Sequence, residues 1–303
     1  MAGIQVARLW RYPVKSMQGE EADEIVLGPS GVIADRGYGF FDIDSQRLVS
    51  AKHPKRFGAL LGCSARYLHD PAPGAPTPPI EVTFPDGSVV SDDDDELARR
   101  VGALLGREVR LITTVEDGLC IDEVVPEVDG DPAAAEQVLQ VPIGLAAPGS
   151  LVDLAALHIL TTSTLARLVE TDPQAQWDPR RMRPNILLDA DALADEDDWF
   201  GCDLHLGAEA VIHVVGPTPR CVMTTVAQPG LARDPRVLKA IAAIGLRQIG
   251  ALGQFACAGS YAEVVTPGVV RCGDAVSVER VEPRETALAA TIAMMSGATA
   301  PGD

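Results

Sequence analysis

The chain has 303 residues, 47% hydrophobic and 22% charged, enough for two modest domains or one large one and without the composition of a disordered polymer. Its formal net charge of −18 excludes a broad surface for nucleic acid or anionic lipid, because neutralising phosphates takes clustered Lys and Arg, yet it leaves room for a small anion pocket. Aromatic residues make up only 4%, so the core must be built mainly from Val, Leu, Ile and Ala.

The N-terminus, "MAGIQVARLWRYPVKS", has no apolar leader segment, and no run approaches the ~18 apolar residues of a membrane span. Six cysteines (63, 120, 202, 221, 257 and 272) are spread through the chain without a C-x-x-C pair. These features predict a cytoplasmic protein with reduced thiols and no membrane segment, five of the cysteines serving as small buried hydrophobes.

In chain order, "IQVARLWRYPV" alternates as a strand and stops at Tyr12-Pro13. "EADEIVLGPSGVIADRGYGFFDIDSQRLVSAKH" reads as short strands between Gly, Pro and Asp turns. Asp70–Pro79 is too Pro-rich for regular structure and predicts a surface loop. "IEVTFPDGSVV" predicts a hairpin turning at Asp86-Gly87. "SDDDDELARRVGALLG" predicts a helix capped by Ser91 or an early Asp, its acidic first turn favoured by the helix dipole.

Residues 116–150 are rich in Asp, Pro and Ala, with weak periodicity, and predict an irregular linker. Beyond it, "LHILTTSTLARLVE" predicts a strand feeding a capped helix, and "RMRPNILLDA" a strand introduced by Pro184. "CDLHLGAEAVIHVVG" predicts two strands about Gly207, and "DPRVLKAIAAIG" a helix stopped by Gly245. "SYAEVVTPGVVRCGDAVSVERV" predicts two strands turning at Pro267-Gly268, before a short helix and tail. The sum is a mainly β chain with peripheral helices, an α+β class, with a boundary near its middle.

The densest chemistry lies in "VVGPTPRCVMTTVAQPG", read as an alternating strand ending in a turn built from Gly216, Pro217 and Pro219. Arg220 and Cys221 follow. A cation beside a fixed turn favours the thiolate, which is both nucleophile and soft-metal ligand, although a cysteine opening a buried strand also serves packing alone. Lys15 and Ser16 sit where backbone N–H groups, a hydroxyl and an ammonium can hold a phosphate, or where an ordinary solvated turn would stand. Arg36 can fork onto an anion or pair with Asp35, while Arg181, Arg183 and Asn185 stand at a strand entrance. The five histidines have no metal-ligand spacing, and no dinucleotide fingerprint, phosphate-binding P-loop, nucleophile elbow or iron–sulfur cysteine cluster occurs.

Taken in order, "YPVKSM", "DRGYGFFD…RLVSAKHP", "RMRPNILLD", "EDDWFGCDLHLG", "RCVMTTVAQPG" and "GSYAEVVTPGVVRCGD" resemble the MOSC (molybdenum cofactor sulfurase C-terminal) superfamily preceded by its N-terminal β-barrel domain, over roughly residues 4–283. Within that superfamily the motifs resemble the branch of the amidoxime-reducing components. The resemblance implies a β-barrel-like domain at 1–115, the linker at 116–150, a MOSC β-barrel at 151–283 interlocked with the first domain, and a helix and tail at 284–303. It implies a molybdenum cofactor between the domains, with Cys221 as catalytic residue and metal ligand. Lys15, Ser16, Arg36, Arg183, Asn185, Arg220 and Tyr261 would hold the cofactor, joined by a hydroxyl cluster at Thr161, Thr162 and Ser163.

The implied reaction is reduction of N-hydroxylated compounds (N–O to N–H), with electrons from a separate flavin or iron–sulfur protein. Two alternatives stay open: a carrier of sulfur or molybdenum cofactor, and a cofactor-free reuse of the fold with Cys221 as nucleophile. The chain departs from the resemblance at Pro219, where relatives carry Ser; proline removes a hydroxyl and a backbone N–H beside the metal position.

Overall fold

The structure, a computed structural model, describes residues 3–113, 115, 118–125, 137–144, 147, 150–190, 196–250 and 253–295. Seven strands form a closed ring: Ile4–Arg11 (β1), Leu157–Thr161 (β2), Ile186–Asp189 (β3), Cys202–Leu206 (β4), Ala210–Pro219 (β5), Gln254–Thr266 (β6) and Ala275–Arg280 (β7). Their order is β2-β3-β1-β7-β4-β5-β6, and β6 pairs back onto β2 to shut the barrel. Only β2 and β3 run parallel within the ring.

Those two strands are apolar on both faces, as parallel neighbours buried on both sides must be. Leu157, Ile159, Ile186 and Leu188 join one core. Leu160 and Leu187 face the other way, into a second core under the helices Thr162–Thr171 and Arg236–Ile244, where Leu168, Val237 and Ile241 meet them.

The first part of the chain builds small antiparallel sheets around its own core of Phe40, Phe57, Leu60, Val82, Leu97 and Val101. The hairpin Ile80–Thr83 with Val89–Ser91 turns as expected through Asp86-Gly87, with Gly87 at a φ of 81°. The helix Asp94–Leu105 is capped by Asp93, whose side chain accepts the Glu96 N–H at 2.9 Å. Two exchanges interlock the halves. β1 lies between β3 and β7, and Gly268–Arg271 pairs with Glu24–Gly28.

Several expectations are corrected. The stretch expected to be irregular holds an antiparallel pair, Cys120–Val125 with Gln137–Pro142. Pro217 and Pro219 make no turn: they lie within β5, where register shifts accommodate residues without an N–H to donate. No hairpin forms at Pro267-Gly268; β6 ends at Thr266 and the chain crosses to pair with Glu24–Gly28. Of the five cysteines expected to be buried, Cys63, Cys202 and Cys257 are, whereas Cys120 is partly exposed and Cys272 exposed. The C-terminal helix spans Ala287–Met295, and the expected tail lies outside the described residues.

Candidate functional site

A cleft open to solvent lies where the two halves meet. The first half contributes Lys15, Ser16, Arg36, Ser50 and Lys52; the second contributes Asp153, His158, Arg183, Asn185, Thr218, Arg220, Cys221 and Tyr261. Eight residues singled out in the sequence thus share one cavity: Lys15, Ser16, Arg36, Arg183, Asn185, Arg220, Cys221 and Tyr261. Three of them, Ser16 (φ 66°), Arg36 (φ 50°) and Arg183 (φ 55°), hold the left-handed backbone that side chains rarely adopt. Such local strain needs a surrounding structure that enforces it, and it gathers at ligand sites.

The strand-end turns are pinned to each other. Arg36 N donates to Tyr12 O at 2.6 Å, and Tyr38 N to Pro13 O at 3.0 Å. Both guanidiniums stack on the buried Tyr12 ring, Arg36 at 4.4 Å and Arg183 at 4.2 Å from its centroid. Asp35 neutralises part of this charge, pairing with Arg36 and accepting from Asn185 Nδ2 at 3.0 Å and Tyr12 N at 2.8 Å. Burial, reinforced by Arg36, brings Arg183 down to about 10. Like charges crowded in a dry pocket are unfavourable unless an anion joins them.

A second group surrounds Asp153. Lys15 Nζ donates to Leu151 O at 2.6 Å and Asp153 Oδ1 at 2.5 Å, while Lys52 Nζ reaches Glu123 Oε2 at 3.0 Å and Asp153 Oδ2 at 3.5 Å. Burial opposes the Asp153 carboxylate, but the two ammoniums hold its pKa well below the usual range. Burial also lowers Lys15; for Lys52 the same penalty is outweighed by Asp153 and Glu123, which hold it well above its ordinary value.

Cys221 begins a short turn. Its carbonyl accepts from the Thr224 hydroxyl at 3.0 Å, and the preceding residue ties to the barrel through Arg220 N donating to Ala256 O at 2.8 Å. The segment after it is clamped by the fully buried Arg181, whose guanidinium donates to the carbonyls of Gln176 (2.9 Å), Thr224 (3.2 Å), Val226 (3.3 Å) and Ala232 (2.7 Å). Arg181 therefore holds the loop and does not line the cleft. The expected thiolate is corrected: burial pushes the Cys221 thiol up, and Lys52, ahead of Arg220, offsets this only in part. Tyr261 is pushed up to about 12, again by burial.

His158 is buried and neutral, its pKa driven well below the usual value by burial and then by Arg220, whose Nη1 lies 3.4 Å from Nε2. Gly259 makes room for the ring; a Cβ there would stand 2.4 Å from Nε2. Three buried polar atoms of cleft residues lack a protein partner: His158 Nδ1, Thr218 Oγ1 and Arg220 Nε. A buried polar atom is costly unless something bonds it, so they invite a polar ligand.

Thr161, Thr162 and Ser163 are not brought to this cleft. Thr161 caps the following helix, its Oγ1 accepting from Thr164 N at 3.1 Å and lying 2.7 Å from Ser163 Oγ. The Thr162 hydroxyl donates to Asp189 at 3.0 Å. Capping, a carboxylate partner and mutual contact thus occupy the hydroxyls of Thr161, Thr162 and Ser163 respectively. Sequence reasoning had missed Tyr12, Lys52, Asp153 and His158. Tyr12 and Lys52 stood inside quoted motifs; Asp153 and His158 carried no local signal. Among the described residues, no group of three or more His, Cys, Asp or Glu could hold a metal ion.

Family comparison gives two matches. The MOSC domain matches residues 148–277, and the MOSC N-terminal beta barrel domain matches residues 3–95. Among solved structures, the chain is similar to the YUAD protein from Bacillus subtilis at 12% identity and a TM-score of 0.45, covering 93% of this chain and 98% of that one. It is similar to YiiM from Geobacillus stearothermophilus at 16% identity and a TM-score of 0.32, covering 58% and 82% respectively. For YiiM from Escherichia coli the identity is 15%, the TM-score 0.31, and the coverage 61% and 79%. No curated protein matches the chain.

Proposed function

This chain belongs to the MOSC family, with that family's N-terminal β-barrel domain ahead of it, and we propose from that premise that it is a cytoplasmic molybdenum-cofactor oxidoreductase that reduces N-hydroxylated compounds. The observation that carries the reading is the cleft's charge. Five cations (Lys15, Arg36, Lys52, Arg183 and Arg220) line it with one carboxylate, Asp153, while Asp35 and Glu123 pair with Arg36 and Lys52 from behind, and Cys221 supplies the one thiol among the lining residues.

The residues present fit the cofactor. An anionic, heteroatom-rich pterin answers both the surplus of positive charge and the orphaned atoms of His158, Thr218 and Arg220. Lys15, Ser16, Arg36 and Arg183, the two guanidiniums fixed by Tyr12, would hold its anionic group; Asn185, Arg220 and Tyr261 would bond its other polar atoms, and Cys221 would be the metal's protein ligand, a thiolate suiting a soft site. When bound, the cofactor would supply two-electron oxygen-atom removal.

The chain's own tasks are positioning and charge. Cys221 would have to be a thiolate to hold the metal, and Lys52, ahead of Arg220, is the cation that most favours that form. Arg181 keeps the following loop from moving. Electrons come from a separate flavin or iron–sulfur donor. The test is elemental analysis of protein made in a molybdate-fed, cofactor-competent host, wild type beside Cys221→Ala. Near-stoichiometric molybdenum in the wild type, lost or spectroscopically altered in the variant, together with turnover of amidoximes, supports the proposal; no metal in either protein sinks it.

A further inference from the structure

We propose that Asp153 is a built-in competitor for the Lys15 ammonium, so that the cleft admits a phosphate-monoester dianion and turns away monoanions of the same shape. This rests on reading the cleft as an anion site, and it adds a selectivity that neither the family nor the fold assigns.

The argument begins with Lys15, the cation expected to meet an incoming phosphate. It is not available as it stands. Its side chain is 5% exposed, and its ammonium already donates to Leu151 O at 2.6 Å and to Asp153 Oδ1 at 2.5 Å. The other oxygen of Asp153 lies 3.5 Å from Lys52 Nζ, so the one carboxylate that occupies Lys15 is also steadied by a second lysine. Asp153 keeps 29% exposure, and it lies near the start of β2 rather than inside a strand, so it has a way out into water.

Any anion that reaches Lys15 must therefore displace a carboxylate. A monoanion replaces one unit of negative charge with another and gains nothing in Coulomb energy, while Asp153 loses its contacts. A phosphate monoester carries about −1.5 to −2 near neutral pH and three acceptor oxygens, enough to satisfy Lys15 and leave charge over for Arg36 and Arg183. Exchange is thus favourable for the dianion alone. Glu123 provides the internal control: its carboxylate touches Lys52 at 3.0 Å and has no bond to Lys15.

The experiment is calorimetric binding of phenyl phosphate and phenyl sulfate to the full-length protein from a host that makes no molybdenum cofactor. The variants are Asp153→Asn, Asp153→Ser and Glu123→Gln, each checked for folding by thermal melting. The wild type should prefer phenyl phosphate by about tenfold or more. Either Asp153 variant should tighten phenyl sulfate far more than phenyl phosphate and narrow that preference, whereas Glu123→Gln should leave it standing. Equal binding of the two probes to the wild type overturns the proposal even if no Asp153 variant folds. So does an equal shift in the Asp153 and Glu123 variants, or weaker phosphate binding without Asp153; in these cases the anion cleft itself stands. Failure of both probes to bind wild type and variants alike removes the anion cradle, and with it both readings.

Discussion

Replacing Arg181 tests the clamp behind Cys221. The guanidinium is fully buried and donates to four loop and turn carbonyls between Gln176 and Ala232, at 2.7 to 3.3 Å. Arg181→Met fits a similar volume but donates nothing, leaving those carbonyls without their partner. Hydrogen bonds to a charged group are worth about 1.5–3 kcal/mol each, but the four share one side chain, and a loop can turn some carbonyls to water. A buried acceptor left without its partner costs about 1–3 kcal/mol, and with some of the four rehydrated the expected loss is about 3–5 kcal/mol. At roughly 2–4 °C per kcal/mol for a chain of this class, melting should fall by about 10 °C. Arg181→Lys should recover only part of the loss, since an ammonium has three donors and no fork. Urea unfolding reads the stability, and limited proteolysis reads whether the segment after Cys221 loosens first. A loss for Arg181→Met below about 1 kcal/mol would refute the clamp, since four unsatisfied buried carbonyls cannot be that cheap.

Two further outcomes follow from the cleft's protonation. His158 is held neutral, with its folded pKa well below the ordinary 6.5, so the unfolded chain binds the extra proton first. Its contribution is complete above pH 6.5 and is lost as pH falls below it, by about 1.4 kcal/mol per unit until the folded pKa is reached. His158→Gln should flatten that part of the stability–pH curve measured by urea titration; an unchanged slope contradicts a buried neutral imidazole. Cys221, with its thiol pushed up by burial, should react slowly with iodoacetamide at pH 7 in cofactor-free protein, the rate still rising beyond pH 9. A plateau near pH 7 would show that Lys52 and Arg220 outweigh burial.

Strand periodicity and turn chemistry were legible wherever one local rule governed, as in the Asp86-Gly87 hairpin and the Asp93 cap. Legibility failed where partners lie far apart in sequence. Pro217 and Pro219 look like a turn because proline rarely survives in a strand; only the irregular register of β5 on β6 shows how they are carried. The resemblance assigned Thr161, Thr162 and Ser163 to the cofactor, and nothing in the local sequence separates a hydroxyl that caps a helix from one that faces a cleft. The cationic side of the cleft was visible because Lys, Arg and Ser cluster at strand ends. Its balancing half was not: Asp153 meets Lys15 across 138 positions, and an isolated Asp in a run of small residues has no pattern of its own. The same distance concealed the neutral role of His158, which depends on Gly259 and Arg220 closing over it.

The place of β1 has a consequence for how the chain comes off the ribosome. The earliest of the seven ring strands is hydrogen-bonded between β3 and β7, and β7 is the last strand of the ring. The barrel therefore cannot close until residues near Arg280 have been made; Glu20–Ala22 covers Leu9–Arg11, but until then the Ile4–Gln5 end of β1 waits for its β7 partner. Contacts spanning nearly the whole sequence carry a large loop-closure cost before any reward, which makes for slow folding and a long aggregation-prone interval. The same threading makes the two halves poor candidates for separate expression: a fragment of residues 148–277 would lack the strand that belongs between β3 and β7.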